Sequence, residues 1–255
     1  MIYFILFIII SILFGWWLIK KPEHNLQPSI EVEKEILERH VEFYRNLDLN
    51  DKNNFLLRIR SFLKKVRITG IKTDVENIDR VLIAAGAVIP IFGFKNWEYK
   101  NINEILLYPN SFGENFKLKG SSRNTLGMVG NGPMQNVMII SKEDVRSDFI
   151  YDLEKHNTII HEFVHLIDKS DGETDGIPLS LLAYKYSLPW LQLMHEEIQK
   201  IKNNNSDINP YGSTNQAEFF AVVAEYFFQS PELMREKHPE LFKMLEMIFN
   251  PEIKN

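Results

Sequence analysis

Residues 161–165 read His-Glu-Phe-Val-His, an H-E-x-x-H pattern within Asn157 to Asp168. On a helix, positions i and i+4 lie one above the other on one face, so His161 and His165 can offer two imidazole nitrogens to one metal ion. Glu162 falls beside them, where a carboxylate can take a proton from a water held by that metal. Ile159, Ile160, Phe163, Val164 and Ile167 fall on the other side at helical spacing, giving one face for a core and one for chemistry. The pattern points to zinc-dependent hydrolysis of peptide bonds, but zinc requires a third protein ligand.

Two histidines after the motif are candidates, His195 and His238, and neither has a supporting pattern. His195 sits among Glu196 and Glu197, and His238 precedes Pro239 at a helix start; both read as surface residues. The H-E-x-x-H-x-x-G-x-x-H extension is missing, which excludes the three-histidine class. Tyr211 to Phe228 reads as an apolar helix capped at Thr214 or Asn215, with Glu218 and Glu225 seven residues apart on one face. Buried acids are costly unless they are paired or bind metal. Glu218 as ligand and Glu225 as the partner behind a histidine would explain both, as would a polar stripe reaching solvent.

The bulk properties leave room for this site and remove others. The chain has 255 residues and a net charge of -5, with no basic block, so nucleic acid is not an expected partner. It has no cysteine, which removes disulfides, thiolate zinc sites and cysteine nucleophiles together.

Residues 2–19 form an uncharged apolar run broken only by Ser11 and Gly15. As a helix it would span about 27 Å, close to a bilayer core. Trp16 and Trp17 stand at its end, followed by Lys20 and Lys21. No basic residue precedes the run and no small-x-small site follows it, so a single membrane anchor is favoured over a cleaved signal peptide. The positive-inside rule then places the main domain in the cytoplasm. The expected division is an anchor at 1–21, a linker at 22–29 and a domain at 30–255, with a helical part at 30–70 and a catalytic part at 71–255.

Within that domain the periodicities predict helices over about 30–47, 51–66, 74–87 and 190–202, and strands near 68–72, 105–108 and 137–141. Residues 111–132, glycine-rich, read as a long loop or hairpin. The helix of the motif is expected to run from about Phe149, and Val137 to Ile140 is a candidate edge strand for an extended peptide. After the motif, Lys169 to Pro178 reads as a tight acidic turn; Asp168 just before it or Asp171 within it can orient a metal-bound histidine, Asp168 being the favoured of the two. The stretch 203–209 is a candidate mobile loop.

Ile160 to Asp168, Asp171-Gly172, Asp175 to Pro178, and Tyr211 to Phe228 followed by Ser230-Pro-Glu-Leu233 together resemble the MtfA-like zinc peptidases, which are related to the lethal-factor-type gluzincins. The likeness covers roughly residues 50–250. It implies an α+β zincin-like metallopeptidase domain, with His161, His165 and Glu218 as Zn2+ ligands and Glu162 as general base. It implies that Tyr211 steadies the tetrahedral intermediate. Implied too are a peptide or protein substrate, aminopeptidase-like action and a protein partner such as a transcriptional repressor. The alternative to an enzyme is a membrane-tethered regulatory module that binds such a partner without catalysis. The best-known members are soluble, so the anchor is a departure from the family.

Overall fold

The computed structural model describes residues 27–110, 136–150 and 156–250. The expected anchor at 2–19 and the expected loop at 111–132 lie outside the described residues. Among those described, no helix is long and apolar enough to cross a membrane.

Ten α-helices and three strands organise the described residues. Helices α1 (Ile30–His40), α2 (Glu42–Arg45) and α3 (Leu49–Lys65) come first, then β1 (Arg67–Gly70) and α4 (Asn77–Val88). Strands β2 (Glu104–Tyr108) and β3 (Val137–Ser141) follow, with α5 (Lys142–Ile150) directly after β3. The remaining helices are α6 (Thr158–Asp168), α7 (Ser187–Lys202), α8 (Gln216–Gln229), α9 (Pro231–Lys237) and α10 (Pro239–Phe249). The three strands form one parallel sheet in the order β1-β2-β3, pairing Ile68 with Ile105 and Ile105 with Met138. Parallel strands require crossovers, and α4 lies in the one between β1 and β2. This is an α+β arrangement, rich in helix around a small sheet. β3 ends the strand order, and Met138 to Ser141 are all buried, as in a core strand.

Two helix boundaries differ from the sequence reading. The helix expected over 30–47 breaks at Val41, which is extended (φ -114°, ψ 98°) and buried. The helix carrying the motif starts at Thr158, not near Phe149. Asn157 is extended (φ -150°) and its side chain accepts from the Ile160 N–H, while its own N–H donates to Glu225 Oε2 on α8. The start of α6 is therefore set by a side-chain cap that is itself held from α8.

Helix α6 lies at the centre. Ile159, Ile160, Phe163, Val164, Leu166 and Ile167 are fully buried, each contributing on the order of 1.5–3 kcal/mol of apolar burial. Gly86 of α4 allows one of its close contacts, since a Cβ there would stand 2.4 Å from Ile159 Cγ2. The opposite face of α6 is covered by α8. The turn after α6 ties that helix to α7 through Gly176. Its N–H donates to Asp168 Oδ2 (2.8 Å) and its carbonyl accepts from Trp190 Nε1 (2.6 Å). Its φ is +76°, and a Cβ would meet the Gln216 carbonyl at 2.4 Å, so only glycine lets this turn lie against the start of α8.

Candidate metal centre

Helix α6 presents His161 and His165 on the face toward α8, and α8 presents Glu218 from its first turn. That turn is capped by Asn215, whose side chain accepts from the Glu218 N–H at 2.9 Å. His161 Nε2 and His165 Nε2 are 3.1 Å apart, and Glu218 Oε2 lies 3.0 Å from the first and 3.4 Å from the second. Four ligands at zinc distances of about 2.0–2.1 Å in a tetrahedron stand roughly 3.3 Å from one another. The triangle is of that size, and these three are the only such group that could hold a metal ion among the described residues.

Behind the triangle, Glu225 fixes the donor set. Its Oε1 accepts from His161 Nδ1 at 2.5 Å, while its Oε2 takes His156 Nδ1 at 2.9 Å and the Asn157 N–H at 3.0 Å. With a hydrogen on Nδ1 given to Glu225, the His161 ring aims Nε2 at Glu218 and His165, where that nitrogen would offer its lone pair to a bound metal ion. Two imidazole nitrogens and one carboxylate oxygen converging this closely are a borderline-soft cation's donor set, so the residues fit a zinc ion.

The electrostatics follow from burial and proximity. Burial pushes the Glu162 carboxyl above its ordinary range, against the pull of His161 and His165. Burial acts the same way on Glu218, but its hydrogen bonds with His161 and His165 win and hold it well below. Tyr211 is pushed up to about 12 by burial and by the neighbouring Glu218 carboxylate. Its ring centroid is 6.1 Å from that of His161. The five residues named from the sequence, His161, Glu162, His165, Tyr211 and Glu218, thus come together. Glu162, His165 and Glu218 open onto a cleft of about 420 Å³ also lined by Lys169, Thr174 and Asn215 to Ala217.

A family model described as glucose-regulated metallo-peptidase M90 matches residues 16–250. The chain belongs to this family. It is 27% identical over 254 residues to Mlc titration factor A of Pectobacterium atrosepticum, covering 91% of each chain. Mlc titration factor A of Serratia proteamaculans is 31% identical over 155 residues, 55% of this chain and 57% of its own. An uncharacterised protein of Synechocystis sp. is 26% identical over 84% of this chain and 82% of its own. Membership of the M90 metallo-peptidases implies a metal cofactor and a peptide substrate.

Several residues of this M90 chain stand elsewhere than the sequence suggested. Asp168 is fully buried but its Oδ2 accepts from the Gly176 N–H; it makes no direct bond to His165, whose Nδ1 is buried without a partner among the described residues. The histidine partner is Glu225. His238 is not a surface residue, since its Nε2 lies 2.7 Å from Asp207 and its Nδ1 3.4 Å from the buried Glu197. His195 is exposed and is not part of the metal-binding group. The expected mobile loop at 203–209 is fastened at Asp207 by Lys237, His238 and Tyr226, and at Asn209 by His156. His156 was missed altogether, because nothing in sequence spacing joins it to Asn209.

Proposed function

We propose that the protein is a membrane-anchored zinc peptidase, with Glu162 as general base and Tyr211 as donor to the oxygen that gains charge. The convergence of His161 Nε2, His165 Nε2 and Glu218 Oε2, with Glu162 beside them in an open cleft, carries this reading. These three atoms would hold the ion. When bound, zinc acidifies a water and polarises a peptide carbonyl.

The chain's own residues do the rest. Glu162, buried beside the three ligand atoms with its carboxyl raised above the ordinary range, is suited to take the water's proton and return it to the leaving amine. Tyr211 stays protonated at any ordinary pH and so remains a hydrogen-bond donor. A cleft of about 420 Å³ suits a few residues of a peptide. Whether the free amino end is read is decided by offering peptides with free and blocked N-termini; an aminopeptidase cleaves only the former.

Glu162→Gln tests the reading directly. It should retain zinc and lose hydrolysis by about 10²-fold or more. Hydrolysis persisting at the wild-type rate would reject Glu162 as base and favour the alternative, a regulatory module. The relatives' name, a titration factor for Mlc, motivates a protein partner, to be sought by pull-down with the Glu162→Gln protein. For the anchor, the apolar run at 2–19 with Lys20 and Lys21 supports a single span with the domain in the cytoplasm. An active alkaline phosphatase fused to the C-terminus would reverse that orientation.

A further inference from the structure

We propose that Asn209 and His156 are positioning residues that hold the Tyr211 segment in register with the metal-binding helix. The inference rests on the reading of Tyr211 given above. It starts from a hydrogen-bonded chain whose proton directions are all fixed. The Tyr211 backbone N–H donates to Asn209 Oδ1 at 3.0 Å. That bond settles which way the amide points, so Asn209 Nδ2 faces His156 Nε2 at 2.8 Å. An amide nitrogen only donates, so His156 Nε2 accepts and the ring carries its hydrogen on Nδ1. That hydrogen goes to Glu225 Oε2 at 2.9 Å, and Glu225 Oε1 takes the Nδ1 hydrogen of His161. The chain ends on the nitrogen that faces Glu218 and His165.

The geometry gives this chain a task beyond filling hydrogen bonds. Tyr211 lies in a short 3-10 helix, Pro210–Ser213, whose N-cap is Asn209. The other bonds there are local: Gly212 N–H to the Asn209 carbonyl, Thr214 N–H to the Tyr211 carbonyl, and Ser213 Oγ to the Pro210 carbonyl. Asn209 is the residue that ties this turn across to the start of α6. One carboxylate, Glu225, thus orients a metal ligand with one oxygen and, through His156 and Asn209, the tyrosine turn with the other. A donor that must meet developing charge within a few tenths of an ångström depends on such support.

The test is a double-mutant cycle on the full chain, using an aminoacyl p-nitroanilide. Asn209→Ala should lower kcat about tenfold, with KM changed less than about twofold and zinc stoichiometry retained. In a Tyr211→Phe background the same change should cost less than about twofold, because the two act as one unit. His156→Phe should match Asn209→Ala. His156→Gln should restore most of the rate, since its amide can donate to Glu225 and accept from Asn209.

A second readout needs no metal. Amide hydrogen exchange over residues 208–214 of the metal-free protein should quicken in Asn209→Ala and His156→Phe and not in His156→Gln. If Tyr211→Phe lowers kcat but Asn209→Ala adds its full cost on top, or exchange in that segment is unchanged, the positioning role is refuted and the peptidase reading stands. If Tyr211→Phe leaves kcat unchanged, the role of Tyr211 falls and this inference falls with it.

Discussion

Glu225 is 2% exposed and yet charged, because three donors converge on it from His161, His156 and Asn157. Burial works to raise its pKa, but the charge of His161 and the hydrogen bonds win and hold it below the ordinary range. Glu225→Ala should therefore weaken zinc binding by about 10–100-fold, measured by chelator competition, by freeing the His161 ring to turn. Asp168→Asn serves as the contrast. Its side-chain oxygen can still accept from Gly176, and zinc affinity should stay unchanged. Loss of affinity in Asp168→Asn but not in Glu225→Ala would reverse the roles argued from the geometry. At this scale the sequence was informative wherever spacing carries chemistry: His161, Glu162 and His165 share one helix, and Glu218 and Glu225 share another. It was silent on His156 and Asn209, which are 53 residues apart and meet only because α6 and the turn before α8 both lie against Glu225.

At the scale of elements, the apolar periodicities located the three strands and most of the helices, because burial of one face dictates them. The ends were less legible, because distant groups hold them. α6 begins at Thr158 because the Asn157 side chain caps the Ile160 N–H, and Asn157 is itself held through its N–H by Glu225 of another helix. Burial, with Asp144 and Glu225 nearby, raises Asp148 to about 8. A carboxyl raised in the folded state binds its proton more tightly folded than unfolded. The stability it contributes is full below about pH 4 and is lost as pH rises toward about 8. Asp148→Asn removes the buried charge, so it should flatten the fall in melting temperature between pH 5 and pH 8 and be the more stable protein at pH 8 by at least about 2–4 °C. A pH profile parallel to that of the parent chain would reject the assignment. The turn after α6 offers a second test. Gly176→Ala forces φ +76° on a residue with a Cβ and drives that atom into the Gln216 carbonyl, two residues before Glu218. It should cost about 1–3 kcal/mol and lower zinc affinity as well. Gly172 also has positive φ, +111°, but nothing lies within 4 Å of its Cβ position. Gly172→Ala should bring backbone strain alone and leave zinc affinity intact.

Across the whole molecule, the candidate site exists only where α6 and α8 dock, since its donors lie 53 residues apart in the chain between His165 and Glu218. An unfolded chain cannot hold the three atoms within a triangle of about 3 Å, so a zinc ion held there would bind the folded state and its binding energy would become folding energy. With free zinc at about 100 times its dissociation constant the gain is about 2.7 kcal/mol. For a domain of this size that raises the melting temperature by about 5–10 °C. Glu162→Gln should show the same shift, because Glu162 lies beside the triangle and is not one of its corners. Glu218→Ala should lose most of it, since two histidines of one helix remain and the contribution of α8 is gone. The comparison separates the docking of two helices from the chemistry they support, and it requires no knowledge of the substrate. Should Glu218→Ala keep the full shift while Glu162→Gln loses it, the metal would be held by α6 alone, and α8 would cover the site without completing it.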